Sequence, residues 1–283
     1  MSSGAGAGGA AGGGGWRPDP GAPAPAVVQL FPTCLVDELR PEVGIAAVAV
    51  LEALGVRVEV PDGIGCCGQP AWNGGFAADA RAVARQTLAR LAATTGPIVI
   101  PSGSCADMLI HQAAELFRDD PITAAQARVV ASRCSEFTAF VAALRSARTG
   151  AAAAAPSAGS TGPARSEPTA YHASCHLARG LQVTEPPLAL LRDVAGVAVV
   201  ALRNGDDCCG FGGLFSVKQP ELSGAMLDAK CRAIEASGAT VVTSCDLGCL
   251  LHLEGGLRRR GSTVQVCHVA ELLAAARPAP PAR

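Results

Sequence analysis

The sequence is poor in aromatic residues, with seven Phe, two Trp and one Tyr among 283 residues. A base-stacking surface for single-stranded nucleic acid needs such rings, and a formal net charge of -1 offers phosphate no basic footprint. Nucleic acid is therefore not an expected partner. No run of about 18 apolar residues occurs. The most apolar stretch, VGIAAVAVLEALGV, is interrupted by Glu52 and reads as a buried helix, so no membrane span is expected. The opening MSSGAGAGGAAGGGGWRPDPGAPAPA lacks a basic start followed by an apolar core, so no export signal is read and a cytoplasmic location is expected. No G-x-G-x-x-G follows a predicted strand, and no phosphate loop, G-x-S-x-G elbow or H-E-x-x-H motif is present. Nothing here announces a nicotinamide or flavin site, and no catalytic residue is assigned.

Against these absences stand twelve cysteines. In a chain without an export signal, metal binding is a stronger reading of them than disulfides. Two adjacent pairs, each followed by glycine, mark a repeat: IGCCGQP (Ile64 to Pro70) and DDCCGFGG (Asp206 to Gly213). Cys175 follows Cys34 by 141 residues, Cys208 and Cys209 follow Cys66 and Cys67 by 142, and Cys249 follows Cys105 by 144. Four positions recurring in order predict two duplicated units, 27–147 and 169–276. The remaining segments are low in complexity: 1–26 reads as a disordered Gly/Ala/Pro-rich tail, 148–168 as a flexible linker and 277–283 as a disordered end.

Within each unit, short apolar strands alternate with amphipathic helices. This predicts an α/β fold of two pseudo-repeated halves with parallel strands. Strands are read at AVVQLF, VRVEV, PIVIP, VAVVAL and TVVTS. VDELRPEVGIAAVAVLEALG reads as one helix with Pro41 in its first turn. A second helix is read from Phe76 to Ala93, with Val83, Leu88 and Leu91 on its buried side. Each repeated cysteine falls just after a strand and before a helix. In parallel sheets that is the carboxyl end of the strands, where ligands bind, so the cysteines are expected to gather at one end of each half.

Cys34, Cys66, Cys67 and Cys105 are thus candidate metal ligands in the first unit, and Cys175, Cys208, Cys209 and Cys249 in the second. Four converging thiolates can hold a structural zinc or an iron–sulfur cluster. Zinc usually takes two short-spaced pairs, which the first unit lacks; a cluster of several irons accepts ligands from separate turns. A thiol–disulfide switch across either adjacent pair is a further reading. Cys245, four residues before Cys249, is a candidate additional ligand. Cys134, Cys231 and Cys267 read as packing residues. His172 and His176 flank Cys175; a histidine there can tune or ligate a cluster, but both read as polar groups at a turn.

FPTC…GCCGQPAWNGG…PSGSCADM and YHASCHLARG…CCGFGGLFSVKQPELS…CLLHLEGGL resemble the cysteine-rich CCG domain family, over roughly Val27 to Ala147 and Thr169 to Ala275. That family includes the B subunit of heterodisulfide reductase and the iron–sulfur subunits of glycolate and anaerobic glycerol-3-phosphate dehydrogenases. The resemblance is strongest to small stand-alone members of the lactate-utilisation protein A type. The ferredoxin-like cysteine runs of the dehydrogenase subunits are missing. The C-x-x-C closing each copy in the heterodisulfide reductase subunit is replaced by CADM, ending in Met108, and by SCDLGC. The resemblance implies a 4Fe–4S electron-transfer subunit, held by the eight repeated cysteines, in a cytosolic oxidoreductase complex. Its implied reaction is oxidation of L-lactate to pyruvate, with other iron–sulfur and accessory subunits as partners. The alternatives are a heterodisulfide-reductase-like or glycolate-oxidase-like subunit, zinc in one half, or a zinc-stapled structural module.

Overall fold

The computed structural model describes residues 15–18, 23–151 and 165–276. In the first half the strands are Val27–Leu30 (β1), Arg57–Glu59 (β2), Ile98–Ile100 (β3) and Cys134–Glu136 (β4). In the second they are Arg165–Tyr171 (β5), Val197–Val200 (β6), Val241–Ser244 (β7) and Gln265–His268 (β8). Each set forms an all-parallel sheet, ordered β2-β1-β3-β4 and β6-β5-β7-β8. β-branched residues pack well on a pleated surface covered on both faces, and β3 (IVI) is buried at every position. The register also repeats: Leu30 pairs with Val99, and Tyr171 with Thr243. In both sheets the chain leaves the first strand for one neighbour and returns to its other side. That order opens a crevice beyond the carboxyl ends of β1 and β3, and of β5 and β7.

The two halves share an apolar core. Val28, Leu30, Phe137 and Phe140 of the first belong to one buried cluster with Tyr171, Leu190, Leu191 and Leu273 of the second. The helix Pro41–Ala53 packs on Val269–Ala275, and Phe137–Ala151 on Glu185–Asp193. A partly buried ion pair, Arg40 Nη2 to Glu254 Oε2 at 2.6 Å, ties their surfaces.

Some local expectations change. The long helix after β1 is two, Cys34–Leu39 and Pro41–Ala53, because Arg40 leaves helical geometry (φ -147°, ψ 60°). Pro41 then sits in the first turn, where its missing N–H costs nothing. On the helix Ala77–Ala92 the buried stripe is Ala80, Ala84, Thr87, Leu88 and Leu91, while Val83 is exposed on the far side. Strands β4, β5 and β8 carry polar or small residues and lacked a clear apolar signal. Of the tail read at 1–26, residues 1–14 and 19–22 lie outside the described residues, but Trp16 is packed: its ring is 4.6 Å from that of Phe140, and its backbone N–H donates to the Cys134 carbonyl at 2.8 Å. The linker read at 148–168 is bounded by a helix that runs to Ala151 and a strand that starts at Arg165. Residues 152–164 and the end read at 277–283 lie outside the described residues.

Trp16→Ala is expected to lower unfolding stability by about 1–2 kcal/mol, from lost aromatic contact and apolar burial. Urea denaturation should show it, and an unchanged midpoint would count against the packing of this residue.

Candidate metal centre

The adjacent cysteines are separated by the turn that follows them. Gly68 and Gly210 hold φ at +85° and +89°, a left-handed conformation that glycine adopts without steric cost. A Cβ at Gly68 would lie 2.9 Å from the Ala80 carbonyl oxygen, and one at Gly210 2.7 Å from that of Ser223. The Gly68 N–H donates to Cys66 Sγ at 3.4 Å and the Gly210 N–H to Cys208 Sγ at 3.3 Å. The first cysteine of each pair stays half-buried and the second is buried. Cys67 Sγ reaches within 3.3 Å of Cys105 Sγ.

The other ligand candidates come from neighbouring strand ends. Cys34 opens the helix after β1, and Cys105 lies in Gly103–Asp107 after β3. Cys175 precedes a π-helical turn, His176–Gly180, and Cys249 lies in the first turn of Leu247–Arg259 after β7. All eight line one cavity of about 410 Å³ between the halves. The sequence predicted one gathering per half. The structure merges the two because the strand ends of the halves face each other.

Close contacts fix that facing. The helix carrying Cys105 meets the turn carrying His176 at Gly103, where a Cβ would come 2.8 Å from that of Leu177. Asp246, buried at the cavity, accepts from Ser102 Oγ at 3.1 Å and from the Ser104 N–H at 2.9 Å. The Gly103 N–H donates to the Cys245 carbonyl at 3.1 Å. Asp107, also buried, accepts from His176 Nδ1 at 2.7 Å and His111 Nδ1 at 2.9 Å. The Gln69 amide meets the other nitrogen of His176 at 3.0 Å. His176 is therefore a cross-brace between halves rather than a free polar group at a turn. Burial opposes charge on Asp107, but the hydrogen bonds from His176 and His111 hold its carboxyl below the usual range; the same bond to Asp107 raises His176.

Sequence reasoning missed Asp246, Asp107, Ser102 and Gln69. Alignment of the repeats holds a signal for two of them, since Asp246 follows Ser102 by 144 residues, the spacing of Cys105 and Cys249. Cys245 stands apart from the other candidates. It is fully buried and off the cavity, 3.8 Å from the Tyr171 hydroxyl and 4.0 Å from Thr138 Oγ1. Burial, with the Glu136 carboxyl nearby, pushes its thiol up. Cys134 (β4), Cys231 (helix Pro220–Ala236) and Cys267 (β8) also lie off the cavity. His172 also lies behind the cavity wall rather than in its lining; it is wholly buried, and neither ring nitrogen has a hydrogen-bond partner among the described residues. One of its nitrogens and the sulfurs of Cys209 and Cys249 all lie within 4.8 Å of one another.

The thiols of each half behave as one electrostatic group. Hydrogen bonds from Cys34 and then Cys67 draw Cys66 down to about 2, and bonds from Cys175 and Cys209 do the same for Cys208. The donors are raised in turn: Cys34 chiefly by its bond to Cys66, and Cys175 by its bond to Cys208. One thiolate per half is favoured and further ionisation is opposed. A bound cation removes that opposition, because its charge inverts the local balance. Soft sulfur donors, four to a half and drawn from separate turns, suit a centre of several irons. The residues fit such a group.

A sequence profile of the family described as "Cysteine-rich domain" matches residues 28–110 and 169–254. Lactate utilization protein A of Shouchella clausii is 40% identical over 246 residues, covering 87% of this chain and 98% of its own. The protein of that name from Bacillus pumilus is 38% identical, with the same coverage. Among solved structures, a hypothetical protein from Helicobacter pylori matches 92% of this chain at a TM-score of 0.58 and 11% identity. This chain spans half of that one, and the likeness shows the fold alone.

Gly68→Ala and Gly210→Ala are each expected to cost about 2 kcal/mol or more, since an L residue in the left-handed region costs roughly 1–2 kcal/mol before any clash. Denaturation of the single variants checks this; wild-type midpoints would count against the turn geometry.

Proposed function

The chain belongs to the cysteine-rich CCG domain family, sharing about 40% identity with lactate utilization protein A over most of its length, and on that premise we propose that it is an iron–sulfur electron-transfer subunit acting in oxidation of L-lactate to pyruvate. The observation that carries the reading is the cavity lined by all eight repeated cysteines. Cys34, Cys66, Cys67 and Cys105 would hold one centre, and Cys175, Cys208, Cys209 and Cys249 the other. When bound, an iron–sulfur centre supplies one-electron chemistry, which no side chain of the cavity supplies by itself. The protein's part is burial and orientation. The Gly68 and Gly210 N–H groups donate to sulfur, and hydrogen bonds to sulfur are one means by which a protein sets a cluster's potential. Asp246 and the Asp107–His176 brace keep the two sets at a fixed separation. Other iron–sulfur and accessory subunits would deliver and remove the electrons, in the cytoplasm. The lactate assignment rests on the names of the relatives.

A second reading, zinc in the second half, is favoured by the grouping of His172 with Cys209 and Cys249. Both are tested by anaerobic purification followed by assay of iron, acid-labile sulfide and zinc per chain. Iron and sulfide in equal amounts with broad visible absorbance are expected, and zinc alone in both halves would falsify the iron–sulfur reading. Cys66→Ser and Cys208→Ser should each lose about half of the iron by removing one thiolate ligand, while Cys245→Ser should lose none. Normal growth on L-lactate of a strain lacking this chain would sink the lactate assignment alone.

A further inference from the structure

The two halves repeat their cysteines but not the groups packed behind them. The Phe31 N–H donates to the Val99 carbonyl at 2.9 Å, and the His172 N–H to the Thr243 carbonyl at 2.8 Å. His172 follows Phe31 by 141 residues, the spacing of Cys34 and Cys175. The two residues thus hold the same place, one apolar and one polar. Phe31 is fully buried in a cluster with Cys67 and Cys105. His172 is fully buried beside Cys209 and Cys249, and neither ring nitrogen has a partner among the described residues. Ser244, at the end of β7, stands where the first half has Ile100, and its buried hydroxyl also has no partner among the described residues.

The helices behind the CCG turns differ in the same direction. Ala80, Ala84, Thr87, Leu88 and Leu91 form the buried stripe of one helix; Ser223, Leu227, Lys230, Cys231 and Ile234 form that of the other, with identical spacing. Lys230 therefore replaces Thr87. Thr87 donates its hydroxyl to the Cys66 carbonyl at 2.9 Å. Lys230, 3% exposed, donates to the carbonyls of Asn204 and Gly205 at 2.7 and 3.2 Å. Both carbonyls belong to the segment that leads into Cys208 and Cys209.

A histidine ring always carries at least one N–H, and leaving it unmet in the interior is costly. The Asp246 carboxylate, three residues before Cys249, is engaged by Ser102 and Ser104 of the first half. Reduction adds negative charge to a centre, and a nearby N–H donor or cation favours the reduced form.

We infer that the second-half centre is the higher-potential member of the pair, with His172 donating its N–H to that centre and Lys230 supplying the charge behind it. This rests on the iron–sulfur reading above. His172 is a positioning residue here, acting on the centre through sulfur.

The test is a redox titration of the anaerobically purified protein, followed by electron paramagnetic resonance, with iron and sulfide assayed on the same sample. Two separate steps are expected in the wild type. His172→Phe, which copies the first half, should lower only the higher step, by about tenfold in the reduction equilibrium or ~59 mV for one electron. Lys230→Thr should shift the same step in the same direction. Phe31→His should raise the lower step. In protein labelled with ¹⁵N-histidine, the signal of the higher-potential centre should show a weak nitrogen coupling that His172→Phe abolishes. Should that variant lose its centre, the labelled wild type and Phe31→His still decide. Coincident steps, unshifted potentials or absent coupling in an iron-loaded sample overturn this inference and leave the iron–sulfur reading intact. A sample without iron and sulfide, or one with zinc in the second half, overturns both.

Discussion

Like charges crowded in a buried space cannot all form unless something of opposite sign joins them. That constraint governs this protein. Eight thiols line one cavity between its halves, and in each half a single thiolate, Cys66 or Cys208, is held by the thiols around it. The protein's parallel strands, the glycine turns behind the cysteine pairs and the packing of one half on the other all serve to bring these sulfurs together.

Duplication explains how a modest chain builds such a site. One α/β unit with a topological switch supplies four cysteines at strand ends. A second copy, set face to face with the first, encloses them. The facing depends on small features: Gly103 lets a helix approach Leu177, and Asp246 leaves the start of its own helix to accept from Ser102 and Ser104. The two copies differ in residues packed behind the cysteines. Phe31 against His172 and Thr87 against Lys230 are such places, and they make the surroundings of the two cysteine sets chemically unlike.

Much of this was legible in the sequence because it is local. The cysteine spacing revealed the repeat, and the strand–cysteine–helix order put each thiol at a strand end. Glycine after each pair pointed to the turn. What misled was also local. Cys245 looked like a spare ligand because it stands four residues before Cys249, yet its side chain faces the buried interior beside Tyr171 and Thr138. Val83 looked like a core residue because it is apolar, although its place on the helix turns it to solvent. Trp16 lay within a segment whose composition signals disorder, but a single large ring met Phe140.

The sequence by itself determined the repeat, the parallel α/β class, the identity of the eight gathered thiols and the turns that aim them. These follow from spacing and backbone preference, which act over a few residues at a time. Only the tertiary structure decided that the two sets share one cavity, that His176 braces the halves through Asp107, and that His172 is buried beside two thiols with no partner among the described residues. Those relations join residues far apart in the chain, through packing of surfaces that neither half specifies alone.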